Sequence, residues 1–145
     1  MKYYLAKTDP QSYSIDDLKK DIQVPWSGVR NPQAVLFLKA MKPGDLVLIY
    51  HSQGQAAIVG LAEVVGMSRP DPQDLRSWLV DFKFIRTFKQ PYVTLQQIKA
   101  TGKFPDFRLV RQSRLSTMDV PGEVIKWLQE HGLNITLLAE TKTNI

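Results

Sequence analysis

The stretch 45-DLVLIYHSQGQAAIVGLAEVVG-66 decides the architecture. Asp45–His51 reads as one strand and Ala56–Gly66 as a second, each rich in branched and large apolar residues. Between them the Gln53-Gly54-Gln55 segment signals a turn. So short a connection joins antiparallel neighbours, whereas a parallel crossover needs a dozen residues or more. This argues against a parallel βαβ architecture. Gly60 interrupts the second run, and a glycine there marks a bulge, a sharp barrel bend or a close approach by another group.

Upstream, Lys2–Lys7 alternates loosely and is tyrosine-rich, which predicts a first strand that Asp9-Pro10 breaks. Ser14 and Asp17 have capping-box spacing and open a short helix through Lys20. Pro25–Asn31 reads as a loop ending in a strong helix start, with Asn31 as N-cap and Pro32 at the first helical position. The helix Pro32–Met41 is apolar on most sides (Ala34, Val35, Leu36, Phe37, Leu38) and is expected to be largely buried. Pro43-Gly44 ends it.

Downstream of a Pro70-Asp71-Pro72 loop, Trp78, Val80, Phe82 and Phe84 alternate with Leu79, Asp81, Lys83 and Ile85. That is the period-two pattern of a strand with one buried face. Thr94 caps a short helix Leu95–Ala100, and Leu115–Val120 reads as a last strand. Gly122–His131 is an amphipathic helix with Val124, Ile125 and Leu128 inward and Gly132 at its end. Short strands interrupted by small helices predict an α+β fold, a small mixed β-barrel with peripheral short helices. An open α+β sheet is the alternative. One domain is expected over residues 1–140, with a frayed tail at 141–145.

Composition agrees with an ordinary globular chain: 145 residues, 43% hydrophobic and 23% charged. There is no cysteine, which excludes a disulfide framework, a thiolate metal site and a cysteine nucleophile. No apolar run is long enough to span a membrane, and the start lacks the apolar core of a secretory signal. A cytoplasmic protein is the expectation. The net charge is +5, and residues 83–114 alone carry eight basic residues against Asp106. Such a segment is the footprint of a partner bearing phosphates, with Arg86, Lys89, Arg108 and Arg111 as candidate contacts. A solvated surface that keeps the chain soluble is the plainer reading.

Enzyme signatures are absent: there is no Gly-x-Ser-x-Gly elbow, P-loop, dinucleotide fingerprint or His-Glu-x-x-His. His131 sits near a helix end. His51 has neither a cysteine nor a second histidine nearby, so no metal site is expected, and no cofactor. Adjacent side chains on a strand point to opposite faces, which argues against a relay between His51 and Ser52. What remains is a set of polar and aromatic residues at loop and strand ends. It comprises Lys7, Thr8, Asp9, Tyr13, the Trp26–Asn31 loop, Tyr50, His51 and Ser52. If these ends meet they form a concave site in which a planar heterocycle stacks on Trp26 while polar groups read its edge. Plainer readings are a core role for Trp26, an Arg30 ion pair with Asp9 or Asp45, and helix capping by Asn31.

Several motifs in order then resemble one family. They are Trp26-Ser-Gly-Val-Arg-Asn31 with Gln33-Ala34, Met41-Lys-Pro-Gly-Asp45, Tyr50-His51-Ser52, Ile58-Val59-Gly60-Leu61, Pro70-Asp71-Pro72, Trp78-Leu-Val-Asp81, Val93-Thr-Leu95 and Arg114-Leu-Ser116. The chain is similar to the EVE domain family of the PUA-like superfamily, with YTH and ASCH domains as its kin, from Lys2 to Leu128. The resemblance implies a PUA-like barrel and a pocket that reads modified bases in DNA, with RNA binding common in the wider superfamily. It maps the pocket onto Lys7, Thr8, Asp9, Pro10, Tyr13, Ser14, Trp26, Val29, Arg30, Asn31, Gln33, Tyr50, His51 and Ser52. The chain departs from the family at Tyr4, where tryptophan is usual, and at Thr8-Asp9-Pro10, where Ser-Glu-Pro is usual. The expected function is a non-enzymatic module that takes an extruded modified base, methylated or hydroxymethylated for example, against Trp26. The alternatives are an enzyme acting on a nucleotide or nucleobase through His51, and a small-molecule sensor or interaction module.

Overall fold

A computed structural model describes residues 1–138; the tail expected at 141–145 lies outside them. The strands are β1 (Tyr3–Thr8), β2 (Gln23–Trp26), β3 (Leu46–His51), β4 (Ala57–Val64), β5 (Arg69–Pro70), β6 (Trp78–Thr87), β7 (Val93–Thr94) and β8 (Thr117–Asp119). The helices are α1 (Ile15–Asp21), α2 (Pro32–Ala40), α3 (Leu95–Ala100), α4 (Arg108–Arg111) and α5 (Gly122–Glu130). The main sheet runs β2-β6-β4-β3-β1-β8 and curls into a half-barrel flanked by the helices, the PUA-like α+β architecture.

The opening stretch folds as read: β3 and β4 are antiparallel neighbours. The β1–β3 pair is parallel, because residues 9–45, carrying α1, β2 and α2, supply a crossover between them. Gly60 combines two of its three readings. The β3–β4 register slips between Ile49 and Tyr50, and the β4–β6 register slips between Leu61 and Ala62. Two bulges close together sharpen the local twist and help curl the sheet. A Cβ on Gly60 would also lie 2.8 Å from Ile15 Cγ1 and 2.9 Å from the Arg86 carbonyl oxygen. Only glycine lets α1 sit this close to the sheet.

The predicted capping box of Ser14 with Asp17 forms on α1, and Thr94 caps α3 as expected, in a reciprocal box with Gln97 that the structure adds. Three readings need correction. The segment expected to be loop from Pro25 is strand as far as Trp26; Pro25 is tolerated because β2 is an edge strand, where a missing donor leaves no partner unpaired. Helix α2 buries only Ala34, Val35 and Leu38, while Leu36 stays 63% exposed, so it covers the sheet with one face. The strand expected over Leu115–Val120 shrinks to Thr117–Asp119, since its partner β1 pairs with it only from Tyr4 to Ala6. The core between sheet and helices centres on Leu5, Leu18, Leu38, Leu48, Ile58, Leu61 and Phe82, all essentially inaccessible to solvent.

Candidate functional site

The edge strand β2 ends where the chain turns through Gly28, at φ +80, with open space where a Cβ would stand. Beside this turn lies a cavity of about 290 Å³ lined by Val24, Pro25, Trp26, Ser27, Gly28 and Val29 from one side. Lys7, Thr8, Tyr13 and Ser116 close the other. The end of β1 reaches Ser116 because the Lys7 amide donates to the Ser116 carbonyl at 2.8 Å.

Trp26 is 8% exposed. Fully buried Phe82 stacks on its indole at 5.1 Å between centroids and 27° between planes, which assigns that face to the core. Tyr13 meets the same indole edge-on, at 6.0 Å and 80°. The Tyr13 hydroxyl donates to Asp21 Oδ2 at 2.6 Å; burial and this carboxylate together hold the phenol well above its usual range. It stays neutral and fixed. The Thr8 hydroxyl donates to the Tyr13 carbonyl at 2.7 Å, so only its lone pairs remain for another partner. Lys7 Nζ donates to the Ser113 carbonyl at 2.9 Å and lies 5.7 Å from the Tyr50 ring centroid. Burial lowers its pKa. The site is thus an aromatic slot with aliphatic walls, one cation and several hydroxyls at its rim.

Of the residues singled out in the sequence, the fold brings Lys7, Thr8, Tyr13, Trp26 and Val29 to this cavity. The others do not line it. Asp9 accepts from the Gln11 amide through its side chain and from the Ser12 and Tyr13 amides through its carbonyl, which sets the turn that carries Tyr13. Arg30 pairs with Asp74, Nε to Oδ2 at 2.6 Å, rather than with Asp9 or Asp45. Asn31 caps α2, accepting from the Gln33 and Ala34 amides at 2.9 and 3.2 Å. Gln33 exchanges two amide hydrogen bonds with Gln112 beyond the end of α4. The Ser52 amide donates to the Thr8 carbonyl, and Tyr50 is buried beneath Lys7.

His51 braces a helix. Its Nε2 accepts from the Ile15 amide, the first N–H of α1, at 3.1 Å. The ring is therefore neutral with its proton on Nδ1. Burial lowers its pKa, against a smaller upward pull from Asp16. Tyr4 belongs elsewhere: it lines a separate cavity with Tyr3, Phe37 and Asp119 on the side of α2.

Sequence reading missed Val24, Pro25 and Ser116 as cavity residues and took Ser27 and Gly28 only as members of the Trp26–Asn31 loop. Four of these flank Trp26 and follow from it once β2 is known to be a strand. Ser116 depends on the β1–β8 pairing, which no local pattern announces. In the basic segment, Arg86 donates to the Thr136 and Leu138 carbonyls at 2.8 and 3.0 Å. Arg108 pairs with Asp119 at 3.1 Å and lies over the Phe37 ring. Arg111 reaches Asp106 at only 3.7 Å with both side chains well exposed, and Lys89 is exposed. Among the described residues no three metal-capable side chains cluster, and no helix is long and apolar enough to cross a membrane.

Comparison with known proteins settles the family. The EVE domain profile matches residues 2–131. This chain belongs to the EVE domain family. Among relatives of the EVE chain, thymocyte nuclear protein 1 of Mus musculus is 34% identical over 157 aligned positions, covering 83% of this chain and 69% of that one. A crystal structure of an Agrobacterium tumefaciens protein is 34% identical with a TM-score of 0.83, covering 92% of this chain and 94% of that one. The crystal structure of human THYN1 in complex with 5-methylcytosine-containing DNA is 25% identical with a TM-score of 0.81, covering 90% and 97%. The expected cytoplasmic location is corrected here: the curated relatives carry the name of a nuclear protein.

Proposed function

We propose that this EVE domain is a non-catalytic reader of nucleic acid that takes one modified base into the cavity against Trp26. The observation that carries the reading is the indole itself, backed by Phe82 and bordered edge-on by Tyr13, at the wall of a cavity of about 290 Å³. That volume lies at the low end of the range for small-ligand sites, about 300–1,000 Å³. It suits a single base better than a whole nucleotide. The same fold in human THYN1 is seen with 5-methylcytosine-containing DNA, which supports DNA as the first partner to test.

In this reading the base stacks on Trp26, and an added methyl group packs against Val24, Pro25 or Val29. Thr8, left with acceptor capacity only, suits an exocyclic amine such as that of cytosine. Lys7 offers its ammonium to a base oxygen or a phosphate. Arg86 and Arg108 are held by partners within the chain, so among the candidate phosphate contacts Arg111, whose ion pair is long and exposed, is better placed. Arg114 joins it: it is exposed, two residues from Ser116, and without an ion-pair partner among the described residues.

The test is fluorescence anisotropy with labelled oligonucleotides carrying one 5-methylcytosine, one 5-hydroxymethylcytosine or cytosine at the same position. DNA and RNA, single- and double-stranded, are measured at two salt concentrations. The expected result is tighter binding to a modified form. Replacing Arg114 with Gln should flatten the log-affinity against log-salt slope by about 0.9 on duplex DNA, whereas Arg108→Gln should leave it unchanged. Equal affinity for all three bases in every strand form would end the base-reading proposal.

A further inference from the structure

At the junction of α1 and β2 the backbone does something unusual. Ile22 has φ +69 and ψ −50, and among the described residues it is the sole non-glycine with positive φ. For a β-branched side chain this is a genuine outlier, close to the rare strained γ-turn geometry. The strain is locked in from both sides. The Ile22 amide donates to the Leu18 carbonyl at 2.9 Å, and its carbonyl accepts from the Phe84 amide at 2.8 Å. The conformation gains the side chain no burial: Ile22 is 62% exposed. A glycine would fit the backbone without strain, and a polar residue would suit the solvent. An isoleucine here is a stiff apolar knob left mostly in solvent.

Its location gives the knob a use. Ile22 lies between Asp21, whose carboxylate holds Tyr13, and Gln23-Val24, where the cavity wall begins. It is two residues from the wall, within about 7 Å along the chain. Around it stand exposed Lys19 and Lys20 in the last turn of α1, and exposed Lys83, the register partner of Gln23. Apolar wedges flanked by cations are how proteins hold a disturbed base stack, since the wedge covers base faces while the cations meet phosphates.

We infer that Ile22 is the wedge that enters the duplex beside the extruded base and fills the gap the base leaves. This rests on the base-reading role of the Trp26 cavity. Extrusion exposes the faces of the neighbouring bases, and re-entry of the flipped base competes with pocket binding. A rigid isoleucine in the gap opposes both effects. It has no work on a single strand, where there is no stack to fill.

The discriminating variant is Ile22→Gly, which removes the knob and relieves the backbone, so its melting temperature should equal or exceed that of the wild type. Ile22→Asn, polar yet tolerant of positive φ, is the second variant. Both are measured against duplex and single-stranded DNA of one sequence carrying a single 5-methylcytosine, with 2-aminopurine next to it as a reporter of unstacking. Each variant should bind the duplex about tenfold more weakly and blunt the 2-aminopurine signal. Single-strand affinity should stay within about twofold. Unchanged duplex binding, or an equal loss on both strand forms, overturns the wedge while leaving base reading intact. A wild type that prefers 5-methylcytosine in neither form overturns both.

Discussion

Trp26 and Asn31 belong to one six-residue motif, yet they serve opposite sides of the structure. From Val24 to Val29 the chain lines the cavity; from Arg30 onward it turns away, Arg30 to Asp74 and Asn31 into the first turn of α2. The same division separates Thr8, which faces the cavity, from its pairing partner His51, which holds the start of α1. Residues grouped by family resemblance thus fall into a set that can touch a ligand and a set that fixes the first set in place. Preorganised sites need both, because a stacking ring helps only if its position does not have to be ordered on binding.

The largest effect expected on the ligand side is that of Trp26→Ala. Removing a buried indole should destabilise the fold by about 3–5 kcal/mol. At temperatures where the variant remains folded, affinity for the preferred oligonucleotide should fall about ten- to a hundredfold, from about 1–3 kcal/mol of lost stacking. Trp26→Phe separates the two roles, since it keeps a ring against Phe82 but offers the base a smaller face. Stability should largely return while affinity recovers only in part. Full affinity in a folded Trp26→Ala protein, measured by anisotropy alongside thermal melting, would move Trp26 into the scaffold set and erase the distinction.

Asn31→Ala probes the scaffold side. Two amides at the start of α2 lose their acceptor, and such caps are worth about 1 kcal/mol. Denaturant melts should register that loss, with oligonucleotide affinity unchanged within about twofold. A folded variant that bound tenfold more weakly would show that the Asn31 amide reaches the ligand, and the boundary drawn after Val29 would have to move.

How legible each side was in the sequence follows from the range of the forces involved. The capping box at Ser14, the N-caps at Thr94 and Asn31 and the antiparallel turn after His51 are local events written in adjacent residues, and all four form as read. The stacking of Trp26 on Phe82 and the closure of the cavity by Ser116 join residues distant in sequence through sheet pairing. No periodicity announces them. Helix α2 misled for a related reason: its apolar run describes what it can bury, whereas the sheet offers it one face and leaves Leu36 in solvent. The basic segment is visible as composition, but composition cannot tell that Arg108 is paired with Asp119 and Arg86 with the carbonyls of the C-terminal segment.

The smallest effect expected, and one that still sharpens the division, is the pH dependence carried by His51. Its neutral ring accepts the Ile15 amide, and burial holds its folded pKa below the ordinary 6.5. The unfolded chain therefore binds a proton that the native state resists, so stability is full above the unfolded pKa. It falls as pH drops through 6.5 toward the lowered native value. Protonation would also turn the acceptor into a donor facing the amide it serves. Melting temperature should therefore decline between about pH 7 and pH 5 in the wild type. Part of that decline should be missing in His51→Gln, whose side-chain oxygen can accept the same amide without titrating. Oligonucleotide affinity of the variant at pH 7 should match the wild type, because the ring brings nothing to the cavity. A variant as pH-sensitive as the wild type, or one that loses base discrimination at neutral pH, would place His51 on the ligand side after all.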